Sequence, residues 1–274
     1  MKDTLDQMLA HVGDMALKRR ARRIVEELEL KDKQHILDAG CGDGFYLHLL
    51  STVGRYDLTG IDFDENALDS AKKNLHGRNI KLLHGSVMDL PFKNNSFDRV
   101  ILTEVAEHLP NDLQGLTEIY RVLKPGGILV LTVPNHNYPF LWDPVNKFLE
   151  STSSKHISSG FWAGIWNQHI RLYYPEEIVA KIKKAGFTIE KTENVTHYSL
   201  PFNHHILNFA ARMLYGGKVN PELQADISKF STTPKKRTSY VDFAFKFFNW
   251  VDHFNEGVTD KSSVSVFVKA RKKG

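Results

Sequence analysis

Short apolar runs alternate with amphipathic segments between residues 33 and 134. The apolar runs are bounded by Gly, Asp or Asn, as buried parallel strands are. Five of them stand out: His35–Gly40, Asp57–Asp62, Ile80–Gly85, Phe97–Thr103 and Gly127–Val133. Because helix-like segments separate these runs, the pattern predicts an α/β fold with a doubly wound parallel sheet.

The pattern continues with a helix on each side of residue 134 and two more strands. The helix before the fifth strand is predicted to stop at Pro125 and the two glycines after it, and Pro175–Phe187 predicts a second helix that Gly186 ends. Phe187–Asn194 and Ser262–Ala270 have the character of strands. Seven strands are therefore available to the sheet.

Two long segments interrupt this regular order. Tyr138–Trp166 is rich in aromatic residues and has weak periodicity, and a loop of this size in a compact domain is more often a functional lid than a connector. Residues 195–261 form an insertion before the last strand, with helix candidates at His204–Leu214 and Val241–Phe254.

Composition limits the class of protein. The 274 residues include one cysteine, Cys41, so neither an internal disulfide nor a four-cysteine zinc site can form, and we expect a reducing, cytoplasmic setting. The net charge of +4 is too small to indicate a nucleic-acid-binding surface, and the basic stretch Lys18–Arg23 is expected to be a solvated face. The polar N-terminus predicts no secretory signal, and no apolar run approaches the roughly 18 to 20 residues that span a bilayer.

The sharpest chemical signal is the sequence LDAGCGDG at Leu37–Gly44, where the first strand should turn into a helix. A glycine-rich turn lets the backbone approach a ligand there, and its G-x-G-x-G spacing differs from the G-x-G-x-x-G of dinucleotide-binding proteins. Asp62 ends the second strand, where it can accept both hydroxyls of a ribose, and Asp89 follows the third, where it can accept from an adenine amino group. With Asp38 in the first strand, these acids indicate an adenosine ligand rather than three helix caps.

This combination of motifs resembles the class I S-adenosylmethionine-dependent methyltransferases, especially their small-molecule branch, type 11. The match runs from Ile36 to Val133 and includes the glycine loop, DLPFKNNSFD at Asp89–Asp98 and LKPGG at Leu123–Gly127. The resemblance implies a Rossmann-like seven-stranded sheet with an antiparallel last strand, and S-adenosylmethionine as the cofactor. It assigns the cofactor to residues at the strand ends: Asp38, Gly40, Gly42, Asp62, Phe63, Met88, Asp89 and Thr103.

The chain is predicted to be a single methyltransferase domain made of five parts. The parts are an N-terminal helical segment (1–32), a cofactor-binding core (33–134), a lid (135–170), the rest of the sheet (171–194 and 262–271) and a helical insertion (195–261).

The residues after the fourth strand, Glu104-Val105-Ala106-Glu107-His108, bear on catalysis. The string is similar to one in the ubiquinone-biosynthesis O-methyltransferases, and that resemblance implies a magnesium ion on Glu104, Glu107 and His108. Related strings occur across type 11 enzymes without a metal, and His108 would then act as a general base or cap the following loop. His136, just after the fifth strand, is a second candidate base. The candidate catalytic residues are therefore Glu104, His108 and His136.

The segments outside the predicted cofactor-binding core are expected to form the binding site for the methyl acceptor. The aromatic segment is expected to cover an apolar pocket, and His169 and Arg171 at its end either reach the acceptor or pin the lid to the core. Aromatic residues in Val241–Phe254, preceded by the basic residues 235–237, predict apolar core, a homodimer surface or peripheral contact with a lipid interface.

The sequence thus predicts a methyltransferase for a small or lipid-like acceptor, with transfer to oxygen expected. Transfer to nitrogen or carbon, and a non-catalytic cofactor-binding protein of the same fold, are the alternatives. EVAEHLPN replaces the proline-proline-aromatic signature of nucleic-acid amine methyltransferases, so no nucleic-acid partner is expected. The glycine spacing and the lack of a Tyr-x-x-x-Lys pair disfavour a nicotinamide dehydrogenase.

Overall fold

The computed structural model describes residues 2–10, 12–198, 228–230, 239–259 and 262–274. Its strands are β1 (His35–Ala39), β2 (Asp57–Asp62), β3 (Ile80–His84), β4 (Phe97–Thr103), β5 (Leu123–Pro134), β6 (Thr188–Val195) and β7 (Ser265–Arg271). Its α-helices are α1 (Lys2–Leu9), α2 (Met15–Glu27), α3 (Phe45–Val53), α4 (Glu65–Asn74), α5 (Asp112–Val122), α6 (Pro144–Ser153), α7 (Pro175–Lys184) and α8 (Ser239–His253). Short 3-10 turns lie at Ala106–His108 and Phe161–Trp166.

All seven strands form one sheet in the order β3-β2-β1-β4-β5-β7-β6. Strands β1 to β5 are parallel to one another, whereas β7 runs antiparallel to both β5 and β6. This order confirms the predicted fold class. Strand order reverses between β1 and β4, and in open α/β sheets ligands bind at the carboxyl edge of such a switch point.

Alternate side chains of the central strands enter two separate hydrophobic cores. Leu37 of β1 and Val100 of β4 pack on the face that α5 and α7 cover, while Ile36 and Ile101 face the opposite side with α1 to α4. This period of two is what buries both faces of a parallel sheet.

The transition from α5 to β5 differs from the prediction. The helix ends at Val122, ahead of Pro125, and the strand begins at Leu123 rather than at Gly127. Leu123 is fully buried and pairs with Phe97 across a register shift in β4, so the backbone is already extended where the sequence predicts a helix end. Gly126 has a φ of 75°, a left-handed conformation that glycine adopts without steric cost, and it lies within this irregular start of β5.

The C-terminal region is described in part. The predicted helix at Val241–Phe254 is present as α8, and the helix candidate His204–Leu214 lies outside the described residues. The last strand starts at Ser265, three residues later than predicted, because Ser263 is bound to the loop after β5, with its backbone N–H on the Asn137 carbonyl. Among the described helices, none is both long enough and apolar enough to cross a bilayer.

The basic stretch of α2 is not wholly a solvated face. Arg22 is over a third exposed, but the Arg20 side chain is 13% exposed and points toward the carboxyl edge of the sheet. Ala16, Arg20 and Ile24 share one face of the helix at four-residue spacing, and Ala16 and Ile24 are buried. The same spacing that buries the apolar residues therefore carries Arg20 inward.

Candidate active site

The glycine turn joins β1 to α3 and lies flat against β2. The backbone N–H groups of Gly40 and Cys41 both donate to the Ile61 carbonyl, at 2.7 and 3.0 Å. Gly40 has a φ of 81°, and a Cβ on it would lie 2.3 Å from Cγ2 of Val105. Only glycine fits there, because both the backbone conformation and the contact with Val105 exclude a Cβ. Cys41 is buried, burial raises the pKa of its thiol, and it fills the space beside Gly60.

Asp62 fixes the far side of this turn. One carboxylate oxygen accepts the Gly42 N–H at 2.7 Å, and the other accepts the Asp64 N–H at 3.0 Å. The side chain therefore has one orientation, at the end of β2 and against the glycine loop. Each carboxylate oxygen has a second lone pair, so Asp62 keeps the capacity to accept ligand hydroxyls.

Asp38 is a fully buried carboxylate beside the same loop. Within the part of the chain that the structure describes, neither of its oxygens has a hydrogen-bond partner. Burial, and then the nearby carboxylates of Asp62 and Asp43, raise the pKa of this carboxyl. A buried carboxylate without a partner is costly, so the position suits a cationic ligand group.

The residues predicted beside the adenine lie at an open cleft. Met88 and Asp89 line a cleft of ≈ 560 Å³ together with Gln114 of α5, whose side-chain amide donates to the Met88 carbonyl at 2.9 Å. Phe63 follows Asp62 and is 73% exposed. A large aromatic ring left in solvent at a ligand-binding edge is available for stacking.

Glu104 and Thr103 end β4 at the middle of the edge. Glu104 has a φ of 54°, and its carboxylate accepts from the Thr132 hydroxyl at 2.9 Å. Its other oxygen lies 3.4 Å from Nη1 of Arg20. Arg20 is not among the site residues predicted from the sequence, although its position in the apolar stripe of α2 indicates that it is buried.

His108, Glu107 and His169 form a second cluster after β4. One ligand-type atom from each lies within 4.8 Å of the others, and Nε2 of each imidazole is 3.8 Å from Oε1 of Glu107. Glu107 is fully buried, and among the described residues neither of its oxygens has a hydrogen-bond partner. Burial, and then the carboxylate of Glu104, raise the pKa of Glu107.

The structure does not bring Glu104 into this cluster as a ligand. The predicted metal set was Glu104, Glu107 and His108, but the carboxylate of Glu104 is bound to Thr132 and Arg20, and His169 occupies the third position. His136 lies apart from both groups, with its ring stacked on Tyr174 at 4.4 Å between centroids.

The aromatic lid segment divides into a packed part and an exposed part. The packed part, namely Tyr138, Trp142, Ile165 and Trp166, joins Ala16 of α2, Leu172 and Val264 in a third hydrophobic cluster. The exposed part has its large side chains about half in solvent, namely Phe140, Leu141, Phe148, Phe161 and Trp162. Arg171 donates to the Leu109 carbonyl at 2.8 Å and lies 3.1 Å from Asp112, so it pins the end of the segment to α5.

Comparison with known proteins shows the family to which the chain belongs. A family described as "Methyltransferase domain" matches residues 37–131, which hold the glycine loop, Asp62, Asp89 and β4. The demethylmenaquinone methyltransferase of Staphylococcus aureus is 33% identical over 184 residues, which cover 64% of this chain and 76% of that protein.

Solved structures share the fold at low sequence identity. Phosphoethanolamine N-methyltransferase 2 of Haemonchus contortus, in complex with S-adenosyl-L-methionine, is 20% identical with a TM-score of 0.58, covering 93% of this chain and 52% of that one. The [4+2]-cyclase SpnF is 19% identical with a TM-score of 0.57, covering 93% of this chain and 81% of that one. Because a cyclase also has this fold, the fold alone does not fix the reaction.

Proposed function

Because this chain belongs to the class I S-adenosylmethionine-dependent methyltransferases of small-molecule type, we propose that it methylates a hydroxyl group of a small or lipid-like acceptor, with His108 as the general base. Membership of this family shows that the chain is a methyltransferase enzyme. The identity of the acceptor and of the methylated atom is what we propose.

The residues at the carboxyl edge fit the cofactor. Asp62 would hold the ribose hydroxyls, Asp38 the methionyl ammonium, and Met88, Asp89 and Phe63 the adenine. The support is the buried carboxylate of Asp38, which has no hydrogen-bond partner among the described residues, and the position of the Asp62 carboxylate against the glycine loop at the end of β2. When bound, the cofactor supplies a methyl group activated by the positive charge on its sulfur.

One hydrogen bond supports the base role of His108. Its Nδ1 lies 3.0 Å from the Gln168 carbonyl oxygen. A carbonyl only accepts, so Nδ1 carries the hydrogen and Nε2 is left to take a proton from an acceptor hydroxyl. The imidazolium formed would then lie beside Glu107, whose buried carboxylate gains from a neighbouring positive charge.

Magnesium does not fit the residues that the fold brings together. With Glu104 bound elsewhere, the cluster offers one carboxylate and two imidazoles from the described part of the chain. Mg²⁺ prefers oxygen ligands, whereas nitrogen-rich sets suit metals such as zinc. The proposed reaction therefore uses no magnesium, and we expect turnover to survive dialysis against a chelator and to gain nothing when magnesium is added back.

Transfer to a ring carbon of a quinol is the second candidate. It is favoured by the relative named for demethylmenaquinone, whose similarity covers 64% of this chain. An ionised ring hydroxyl activates both oxygen and ring carbon, so His108 would act in the same way in either reaction.

Methyl transfer from tritium-labelled cofactor tests the function. The enzyme is incubated with reduced quinols and simple phenols of increasing side-chain length, and each labelled product is identified as O-methyl or C-methyl by mass spectrometry and NMR. We expect transfer to a hydroxyl-bearing acceptor that rises with apolar side-chain length. Labelling of amines alone would contradict the proposal.

Two expectations about partners stay predictions, namely peripheral contact with a lipid surface and a homodimer. Both depend on α8, where Phe243, Phe247, Trp250 and Phe254 are each at least 42% exposed and share one face by helical spacing.

A further inference from the structure

Residues 228–230, which belong to the insertion before β7, lie against the glycine loop. Nζ of Lys229 is 2.7 Å from a carboxylate oxygen of Asp43, the residue between the second and third glycines of the loop. The same Nζ lies 5.2 Å from the ring centroid of Phe45 and 5.4 Å from that of Phe230, within the range of a cation–π contact. One cation therefore contacts both the loop and the first residue of α3.

Phe230 packs onto the beginning of α3. Its ring meets the ring of Phe45 at 6.1 Å and the ring of His48 at 5.3 Å between centroids, edge-on in both cases. Phe45 and His48 stand three residues apart on one face of α3, and both are buried. Burial, and then the charge of Arg78, lower the pKa of His48 to about 4. His48 is therefore neutral at pH 7 and packs against Phe230 without a buried charge.

The second half of the glycine loop is held by side chains from outside the loop. All three glycines have positive φ angles, and glycine loses more conformational freedom on folding than any other residue. Gly44, the N-cap of α3, has no side-chain cap hydrogen bond. The carbonyl of Asp43 accepts from the side-chain amide of Asn74 at 2.9 Å, and its carboxylate pairs with Lys229. A loop that is fixed before its ligand arrives loses less conformational entropy on binding.

We propose that Lys229 and Phe230 are positioning residues for the cofactor, which hold the glycine loop and the first turn of α3 in the shape that receives it. Lys229 acts through Asp43, and Phe230 acts through Phe45 and His48. The inference rests on the proposed function, because it takes the ligand of this edge to be S-adenosylmethionine. It gives two residues of the insertion a role at the cofactor site, in addition to the acceptor binding that the sequence predicts for that insertion.

Binding of the product cofactor measures this positioning without turnover. S-adenosylhomocysteine is titrated calorimetrically, at low salt and at about 1 M sodium chloride, into the wild type, Lys229→Gln, Lys229→Arg and Phe230→Ala. Lys72→Gln is the matched control, since Lys72 forms an ion pair of similar length, 2.8 Å to Asp69, on the surface of α4. Each variant's unfolding temperature without ligand shows whether it is folded.

At low salt, Lys229→Gln is expected to bind S-adenosylhomocysteine about twofold to fivefold more weakly than the wild type, the effect of losing a partly exposed ion pair. Lys229→Arg keeps the cation and should bind as the wild type does, and so should Lys72→Gln. The deficit of Lys229→Gln should disappear at about 1 M salt, where charges are screened beyond about 3 Å. Phe230→Ala should bind about tenfold more weakly at either salt concentration.

A double-mutant cycle links the effect to the loop. Adding Lys229→Gln to Asp43→Asn should cost no further affinity, because the partner of Lys229 is already gone. Wild-type affinity in Lys229→Gln would overturn the proposal, a test that stands even if Phe230→Ala fails to fold. A deficit that Lys229→Arg shares, or that persists at about 1 M salt, would also overturn it. Failure of the wild type to bind S-adenosylhomocysteine would instead overturn the proposed function and, with it, this inference.

Discussion

At the scale of single residues, Gly40 shows how strictly the conformation of the glycine loop is specified. Its φ of 81° and the contact that a Cβ would make with Val105 are two separate reasons for glycine. Gly42, two residues on, has a φ of 52° but no atom within 4 Å of a built Cβ. A left-handed backbone is therefore common to both positions, whereas steric overlap of a side chain occurs only at Gly40.

We predict that Gly40→Ala destabilises the protein more than Gly42→Ala does. The left-handed conformation costs each alanine about 1 to 2 kcal/mol, and overlap with Val105 adds about 1 to 3 kcal/mol at position 40 alone. Urea denaturation of both variants measures the difference. Equal losses of stability would mean that Val105 moves aside freely and that the loop is not held as described.

His108 is predicted to act in turnover and not in cofactor binding. His108→Ala should lower kcat by about 10² to 10⁴ and leave the affinity for S-adenosylhomocysteine unchanged. His136→Ala is the control, because His136 is stacked on Tyr174 and should change kcat far less. If both kcat and cofactor affinity fell together in His108→Ala, the residue would have a structural role at the Gln168 carbonyl.

The sequence predicted that Asp38, Asp62 and the glycine loop would meet at one edge of the sheet, because that placement follows from their positions along the chain. Each stands where a buried strand ends, and parallel strands end at one edge. Arg20 and Glu104 are 84 positions apart, so their pairing depends on how α2 lies across the sheet. Helical spacing shows that Arg20 faces inward, but no local pattern shows which strand end it meets.

At the scale of elements, Asp112 connects three segments near the active site. Its carboxylate accepts from the Tyr173 hydroxyl at 2.6 Å and from Lys181 of α7, and it lies 3.1 Å from Arg171. Burial by itself would raise the pKa of Asp112, but the hydrogen bonds from Lys181 and Tyr173 outweigh it and the pKa is lowered. The ionised side chain at the start of α5 thus holds α7 and the end of the aromatic segment.

Asp112→Asn should destabilise the protein by about 2 to 3 kcal/mol at pH 7. The pKa of Asp112 is lower in the folded protein, so its charge stabilises the fold above the unfolded pKa of about 3.9, and this contribution is lost as the pH falls through the folded value. The difference between wild type and variant, measured by denaturation at several pH values, should therefore shrink below about pH 4. Asp69→Asn, which removes an exposed pair with Lys72, should show no comparable difference. A difference in stability between the wild type and Asp112→Asn that does not change with pH would contradict the stabilising role of the Asp112 charge.

The lid segment shows where sequence patterns stop being informative. No sequence pattern distinguishes its buried aromatic residues from its exposed ones. Tyr138 and Trp166 are buried, and both donate to Glu150 of α6. Phe161 and Trp162 are about half exposed. The separation depends on where α6 folds back, and residues 135–170 lack the periodicity that would reveal it. The start of β5 at Leu123 could not be predicted for a similar reason, because its pairing partner Phe97 lies on another strand.

At the scale of the whole molecule, the candidate site at the carboxyl edge is assembled from elements that are far apart in the chain. β1, β2 and β4 supply the glycine loop, Asp62 and Glu104, and α2 adds Arg20 from before the sheet begins. The strand order places these groups at one edge. Because proteins of this fold perform different reactions, the identity of the ligand at this edge decides between them.

Calorimetric titration of S-adenosylhomocysteine into the wild type, Asp62→Ala and Asp57→Ala tests the site most directly. Asp57 and Asp62 stand at opposite ends of β2, and the Asp57 side chain is 70% exposed beside His35. We predict that Asp62→Ala weakens binding by about a hundredfold, since it removes charge-assisted hydrogen bonds to the ribose, and that Asp57→Ala binds as the wild type does. Unchanged affinity in Asp62→Ala would contradict the placement of the cofactor at this edge.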